Sequence, residues 1–132
     1  MGVKNMKLFV VSVNDEPGAL ANICKTVKPA KIKYISTQKS GYGRGFIKLV
    51  TDNDQLTKEK LLEKEYMFIE EPMLLVKSDD SSKSMFDLTC KLGDSSINIE
   101  NMFALEPGVL AMILSPNDVD KVREMLSDRI IK

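Results

Sequence analysis

The sequence predicts an α+β fold made of two tandem βαββαβ units, each an antiparallel sheet with both helices on one face. Three observations carry this. Short apolar, strand-like runs alternate with amphipathic, helix-like ones in the same order twice. A shift of 66 residues places Leu8, Val10, Ser12, Leu20 and Cys24 on Leu74, Val76, Ser78, Phe86 and Cys90. A shift of 64 then places Asn53, Asp54, Leu61 and Leu62 on Asn117, Asp118, Met125 and Leu126. An internal repeat outranks local propensity as evidence of architecture.

The elements follow from pattern and punctuation. Residues 7–13 read as a strand, stopped by the acidic Pro-Gly turn Asp15-Glu16-Pro17-Gly18. Leu20, Ile23, Cys24 and Val27 recur at helical spacing, so 18–28 reads as a helix. A strand over 31–40 turns through Gly41-Tyr42-Gly43 into 45–51, since glycine supplies the positive φ of a hairpin. A short helix covers 57–64, and 66–70 closes the first unit. The second unit opens with a strand at Met73–Lys77 and a helix over 82–92. A strand from Ile97 to Leu105 turns at Glu106-Pro107-Gly108 into 109–115. Residues 117–127 read as a helix and 128–131 as the last strand. This order is the ferredoxin-like arrangement.

Pro72 separates the halves with almost no linker, giving domains over 1–71 and 72–132. Units of about 65 residues are marginal alone, so the two are expected to share a large apolar interface. Expected core positions are Val10, Leu20, Ile23, Cys24, Ile47, Leu49, Leu62, Val76, Phe86, Cys90, Ile99, Ile113 and Leu126.

The bulk numbers exclude several function classes. Basic and acidic residues balance at 19 each, whereas nucleic-acid binders carry a basic excess. No apolar run approaches the roughly 20 residues of a membrane span. Met1 to Lys7 shows no signal-peptide pattern, so a cytoplasmic location is expected. There is no histidine, which removes the commonest general base and transition-metal ligand. Cys24 and Cys90 lie in apolar helix-like runs and read as small buried hydrophobes, not as a disulfide or zinc site. Met102, Met112 and Met125 read as core or interface filler. Asp79-Asp80 with Asp87 reads as a solvated acidic loop rather than a cation site. With no nucleophile beside a base, no enzyme activity, metal or cofactor is expected.

The most informative run is Val13 to Asn22. A strand, a tight acidic turn and a helix start together make a small-anion site, because the free N–H groups and positive dipole end of the helix face the loop. Gly18 would let a carboxylate approach the backbone closely. The plain alternative is a strand-to-helix turn capped by Asn14 or Asp15.

This strand, the run Asn14-Asp15-Glu16-Pro17-Gly18-Ala19-Leu20 and the helix after it, set in a βαββαβ unit, resemble an ACT domain. Ser96-Ile97-Asn98-Ile99-Glu100-Asn101-Met102 in the second half resembles the start of that family's second strand. The resemblance covers nearly the whole chain as two ACT-like domains. It implies a regulatory module that binds a free amino acid or similar small metabolite between two domains. It also implies a homodimer and a partner, an enzyme or transcription factor, to which occupancy is signalled. The halves depart from the pattern in complementary ways. The first keeps the Pro-Gly turn but lacks Ile-Asn-Ile in its second strand. The second keeps Ile97-Asn98-Ile99, but its loop, Ser78 to Ser84, has neither proline nor glycine.

The expected site is therefore composite. Backbone N–H groups at Gly18, Ala19 and Leu20, after Pro17, would take a carboxylate. Asn14 and Asp15 would face the ammonium. Asn98, Ile99 and Glu100, from the same chain or a dimer mate, would form the other wall. A rival reading is an RNA-recognition or purely structural interaction module. Arg44-Gly45-Phe46 matches the opening of an RNA-binding strand, with Phe9 as its possible partner. Lys48 and Thr51 then stand where further aromatics belong.

Overall fold

The computed structural model describes residues 6–79 and 81–131. The chain divides into two compact units, one spanning Met6–Pro72 and the other following from Met73.

The first unit runs β1 (Lys7–Asn14), α1 (Ala19–Thr26), β2 (Ile32–Gly41), β3 (Arg44–Thr51), α2 (Asp54–Glu63) and β4 (Met67–Pro72). Its sheet has the order β2-β3-β1-β4 with antiparallel pairings throughout. Alternation along β1 sends Phe9, Val11 and Val13 toward the helices. There they pack with Ile47 and Leu49 of β3, Ile23 and Val27 of α1, and Leu61 of α2. The helix α2 begins at Asp54, three residues before the sequence placed it, because Asn53 is its cap. The Asn53 Oδ1 accepts the Leu56 N–H at 3.1 Å.

The second unit runs β5 (Leu74–Lys77), α3 (Ser82–Asp94), β6 (Ile99–Glu106), β7 (Val109–Leu114) and α4 (Val119–Met125). Its sheet has the order β5-β7-β6. The strand expected over 128–131 is reduced to a single bridge, Val76 with Ile130. The Lys77 N–H donates to Arg129 O at 2.8 Å and the Ile131 N–H to Leu75 O at 3.0 Å. The preceding residues are still held by the end of α4, since the Arg129 and Ile130 N–H groups both donate to Leu126 O. They are not free to lengthen the ladder. Met112 is buried, and Met102 and Met125 pack against the same core.

The two cores give the true phase of the repeat, which is 65 residues. Ile23 and Val27 of α1 correspond to Leu88 and Leu92 of α3. Thr57 and Leu61 of α2 correspond to the buried Val122 and Leu126 of α4. Ile47 and Leu49 correspond to Met112 and Leu114. The first strand is offset differently: Asn14 opposes Arg44 as Lys77 opposes Val109, so Val11 and Val13 match Leu74 and Val76. Matching Val10 to Val76 was off by three residues, and an odd slip exchanges the faces of a strand. Seven expected core positions are corrected by the structure. Val10, Cys24, Cys90 and Ile99 are only partly buried. Leu20, Leu62 and Phe86 stand 40%, 56% and 65% exposed, and Leu61 takes the core place assigned to Leu62. Cys24 and Cys90 are free thiols, each partly rather than fully buried.

Two positions carry strain that substitution can release. Tyr42 sits at φ 55° in the two-residue hairpin turn Tyr42-Gly43, with its side chain in solvent. Asparagine tolerates this region far better. Tyr42→Asn is expected to raise stability by about 0.5–1 kcal/mol, seen in a urea titration, and a loss would refute the turn assignment.

Asp54 keeps one carboxylate oxygen buried without a hydrogen-bond partner among the described residues. Burial pushes its pKa above the ordinary 3.8, outweighing the Lys7 N–H and the Lys7 charge. The folded chain thus holds this proton more tightly than the unfolded chain. Stability falls as pH rises from the ordinary value through the raised one. Asp54→Asn is expected to match the parent in acid and exceed it above that window. Equal stability at every pH would refute the burial argument.

Candidate functional site

The turn from β1 into α1 hinges on Gly18, at φ 90° and ψ −10°. An added Cβ would meet nothing within 4 Å, so the backbone angle rather than crowding demands glycine here. Gly18 is also the helix cap and offers no side-chain acceptor. The Ala19 N–H donates to Glu16 O at 3.2 Å and the Asn22 N–H to Gly18 O at 2.9 Å. The Leu20 and Ala21 N–H groups have no partner among the described residues.

The second unit caps the same position with a side chain of its own, while the Ser82 and Lys83 N–H groups likewise have no partner among the described residues. The Ser81 Oγ accepts the Ser84 N–H at 3.0 Å. Asp79 Oδ1 accepts the Ser81 N–H at 2.9 Å and the Ser81 hydroxyl at 2.8 Å. These two donors, the backbone one first, hold the Asp79 carboxyl below its usual range. Asp87 pairs with Lys83 at 3.0 Å, and Asp80 lies outside the described residues. Among the described residues no group of three metal-ligating side chains stands together.

A hairpin completes the first unit's site. The Asp15 N–H donates to Gly43 O at 2.8 Å, which ties the β2–β3 turn to the β1–α1 turn. Antiparallel register sets Asn14 opposite Arg44. Arg44 Nη2 donates to Ser12 Oγ at 2.6 Å and Nη1 donates to Asn14 Oδ1. Together these residues line a polar pocket of about 370 Å³, with Glu16, Asn22 and Glu65 around it.

Of the residues singled out in the sequence, Asn14 and Ala19 line this pocket. Asp15, Pro17 and Gly18 lie exposed on the turn, and Leu20 is 40% exposed on α1. Asn98, Ile99 and Glu100 belong to the second unit, at the entry to β6. Asn98 and Glu100 are exposed, and Ile99 packs against that unit's own core. Arg44, Ser12 and Glu65 were missed. Arg44 was legible in principle, since a hairpin centred on Tyr42-Gly43 starts its return strand beside the end of β1.

The RNA-binding rival loses an aromatic. Phe9 is fully buried on the helix side, its ring centroid 5.8 Å from that of Phe68, and cannot stack on a base. Phe46 remains 39% exposed on the opposite face. No helix among the described residues is long and apolar enough to cross a membrane.

No protein-family profile and no curated protein matches this sequence. Solved structures do. A protein of Bacteroides thetaiotaomicron matches with a TM-score of 0.80 and 12% identity, over 97% of this chain and 92% of that one. The regulatory subunit of aspartate kinase from Thermus thermophilus matches with a TM-score of 0.67 and 13% identity, over 96% and 93%. That from Thermus flavus matches at 0.64 and 13%, over 95% and 92%. The chain has the ACT-domain fold, present twice. The two units differ at the helix start: α1 has no side-chain cap, and α3 is capped by Ser81, which Asp79 holds in place.

Proposed function

We propose that this chain is a regulatory ligand-binding protein without catalytic activity. Its first ACT unit takes a free amino acid, or a similar small metabolite, at the β1–α1 turn. A partner enzyme or transcription regulator reads the occupancy. One observation carries this. The α1 start has no side-chain cap and leaves the Leu20 and Ala21 N–H groups without partners among the described residues, next to a pocket of about 370 Å³ lined by Ala19 and Asn22, whereas at the α3 start the Ser81 hydroxyl caps the Ser84 N–H. Uncapped helix N-termini favour anionic groups such as a carboxylate. The likeness to chains named as aspartate kinase regulatory subunits supports the regulatory part.

Thermal shift with each of the twenty amino acids tests the proposal. A ligand at a hundred times its Kd adds about 2.7 kcal/mol, or about 4–8 °C per kcal/mol for domains this small. No response to any amino acid would end the reading, and binding to single-stranded RNA would put the rival in its place. The same reading makes the protein a homodimer, since β2 and β4 are edge strands and such edges invite pairing. A monomeric mass by light scattering at micromolar concentration would count against that.

A further inference from the structure

We propose that Arg44 is the residue that binds the ligand's carboxylate in this pocket; the inference rests on the amino acid reading above. Arg44 is the cation among the described residues that line the pocket. Its guanidinium is anchored on two different nitrogens, by the Ser12 hydroxyl and the Asn14 amide oxygen. Both anchors are neutral. They fix the orientation of the group without cancelling its charge, and a guanidinium has further N–H donors to offer. Arg44 forms no ion pair among the described residues, although Glu16 and Glu65 line the same pocket.

A partly buried, pre-oriented guanidinium with no carboxylate partner is built for a planar anion, which it grips through two parallel hydrogen bonds. The pocket's carboxylates, Glu16 and Glu65, suit the ligand's ammonium. The ligand class is thus an α-amino acid zwitterion, held by side chains as well as by the turn's backbone. The second unit carries Val109 where the first has Arg44, and Lys77 where the first has Asn14. It has neither the guanidinium nor its anchor, so the site exists once per chain.

The test uses the full chain and an amino acid that stabilises it, with the decarboxylated amine of that amino acid as second probe. Kd values are measured by calorimetry for the parent, Arg44→Gln and Arg44→Lys. Arg44→Gln is expected to lose tenfold or more in amino acid affinity, and Arg44→Lys to recover part of it. The amine is expected to bind parent and Arg44→Gln equally weakly, because each change removes the same contact. A purely structural tie between strands would weaken amino acid and amine alike. Unchanged affinity in Arg44→Gln overturns the Arg44 assignment and leaves the amino acid reading standing. No binding of any amino acid to the parent overturns both. Should Arg44→Gln fail to fold, the parent alone decides: an amine that binds as tightly as its amino acid refutes the carboxylate contact.

Discussion

Replacing Leu61 by alanine is expected to destabilise the protein by about 2–5 kcal/mol, the range for emptying a well-packed core site. Its neighbour Leu62 should tolerate the same change within about 0.5 kcal/mol, as surface positions do. Leu61 is fully buried against Phe9, Val11 and Ile47 in the first unit's core, and Leu62 is 56% exposed. The two leucines are adjacent on a helix, about 100° apart around its axis, so only one can face the sheet. Urea titration of both variants reads the difference directly. Comparable losses would mean that α2 is rotated from the orientation described. Leu126→Ala is expected to repeat the Leu61 result in the second unit, where Leu126 is 2% exposed and holds the matching position.

Gly18→Val is expected to abolish amino acid binding while the chain still folds. The φ of 90° lies in the left-handed region, where an L-residue costs roughly 1–2 kcal/mol and a β-branched one more. The open space around Gly18 means that no clash is added to that strain. The turn would relax toward negative φ, redirecting the Leu20 and Ala21 N–H groups at the start of α1, which are partnerless among the described residues. Calorimetry should then show at least a tenfold loss, while Ser84→Val in the second unit leaves binding unchanged. If Gly18→Val binds an amino acid normally, or if Ser84→Val is the variant that fails, the β1–α1 turn is not the site. Gly18→Ala, with less side chain to strain, should fall between parent and valine.

The order of elements in this molecule is legible in its sequence. The Pro-Gly turn, glycine-marked hairpins and alternating strands define it, because turn residues and hydrophobic period act within a few positions of the chain. The repeat is visible for the same reason. Its phase is not. Shifts of 66 and 64 match residue types well, but burial aligns the units at 65 over helices and hairpins, with a separate offset in the first strand. Identity between single residues is too weak a signal to choose among such neighbours. Which side chain meets the core decides it, and that is a property of the packed layers.

The site divides the same way. The sequence by itself marked Gly18 as the hinge before a helix, since Pro17-Gly18-Ala19 is local, but it left a cap by Asn14 or Asp15 open; in the structure Gly18 holds the cap position and no side chain caps the helix. In the second loop the structure places a side-chain cap at Ser81, which accepts the Ser84 N–H. Only the tertiary structure brought Arg44 to Asn14 across thirty positions of chain, through the antiparallel register of β1 and β3. It likewise placed Glu65, just past the end of α2, on the same pocket. Contacts of that range depend on how strands pair and helices end, and a composition or spacing rule read along one segment contains no term for them.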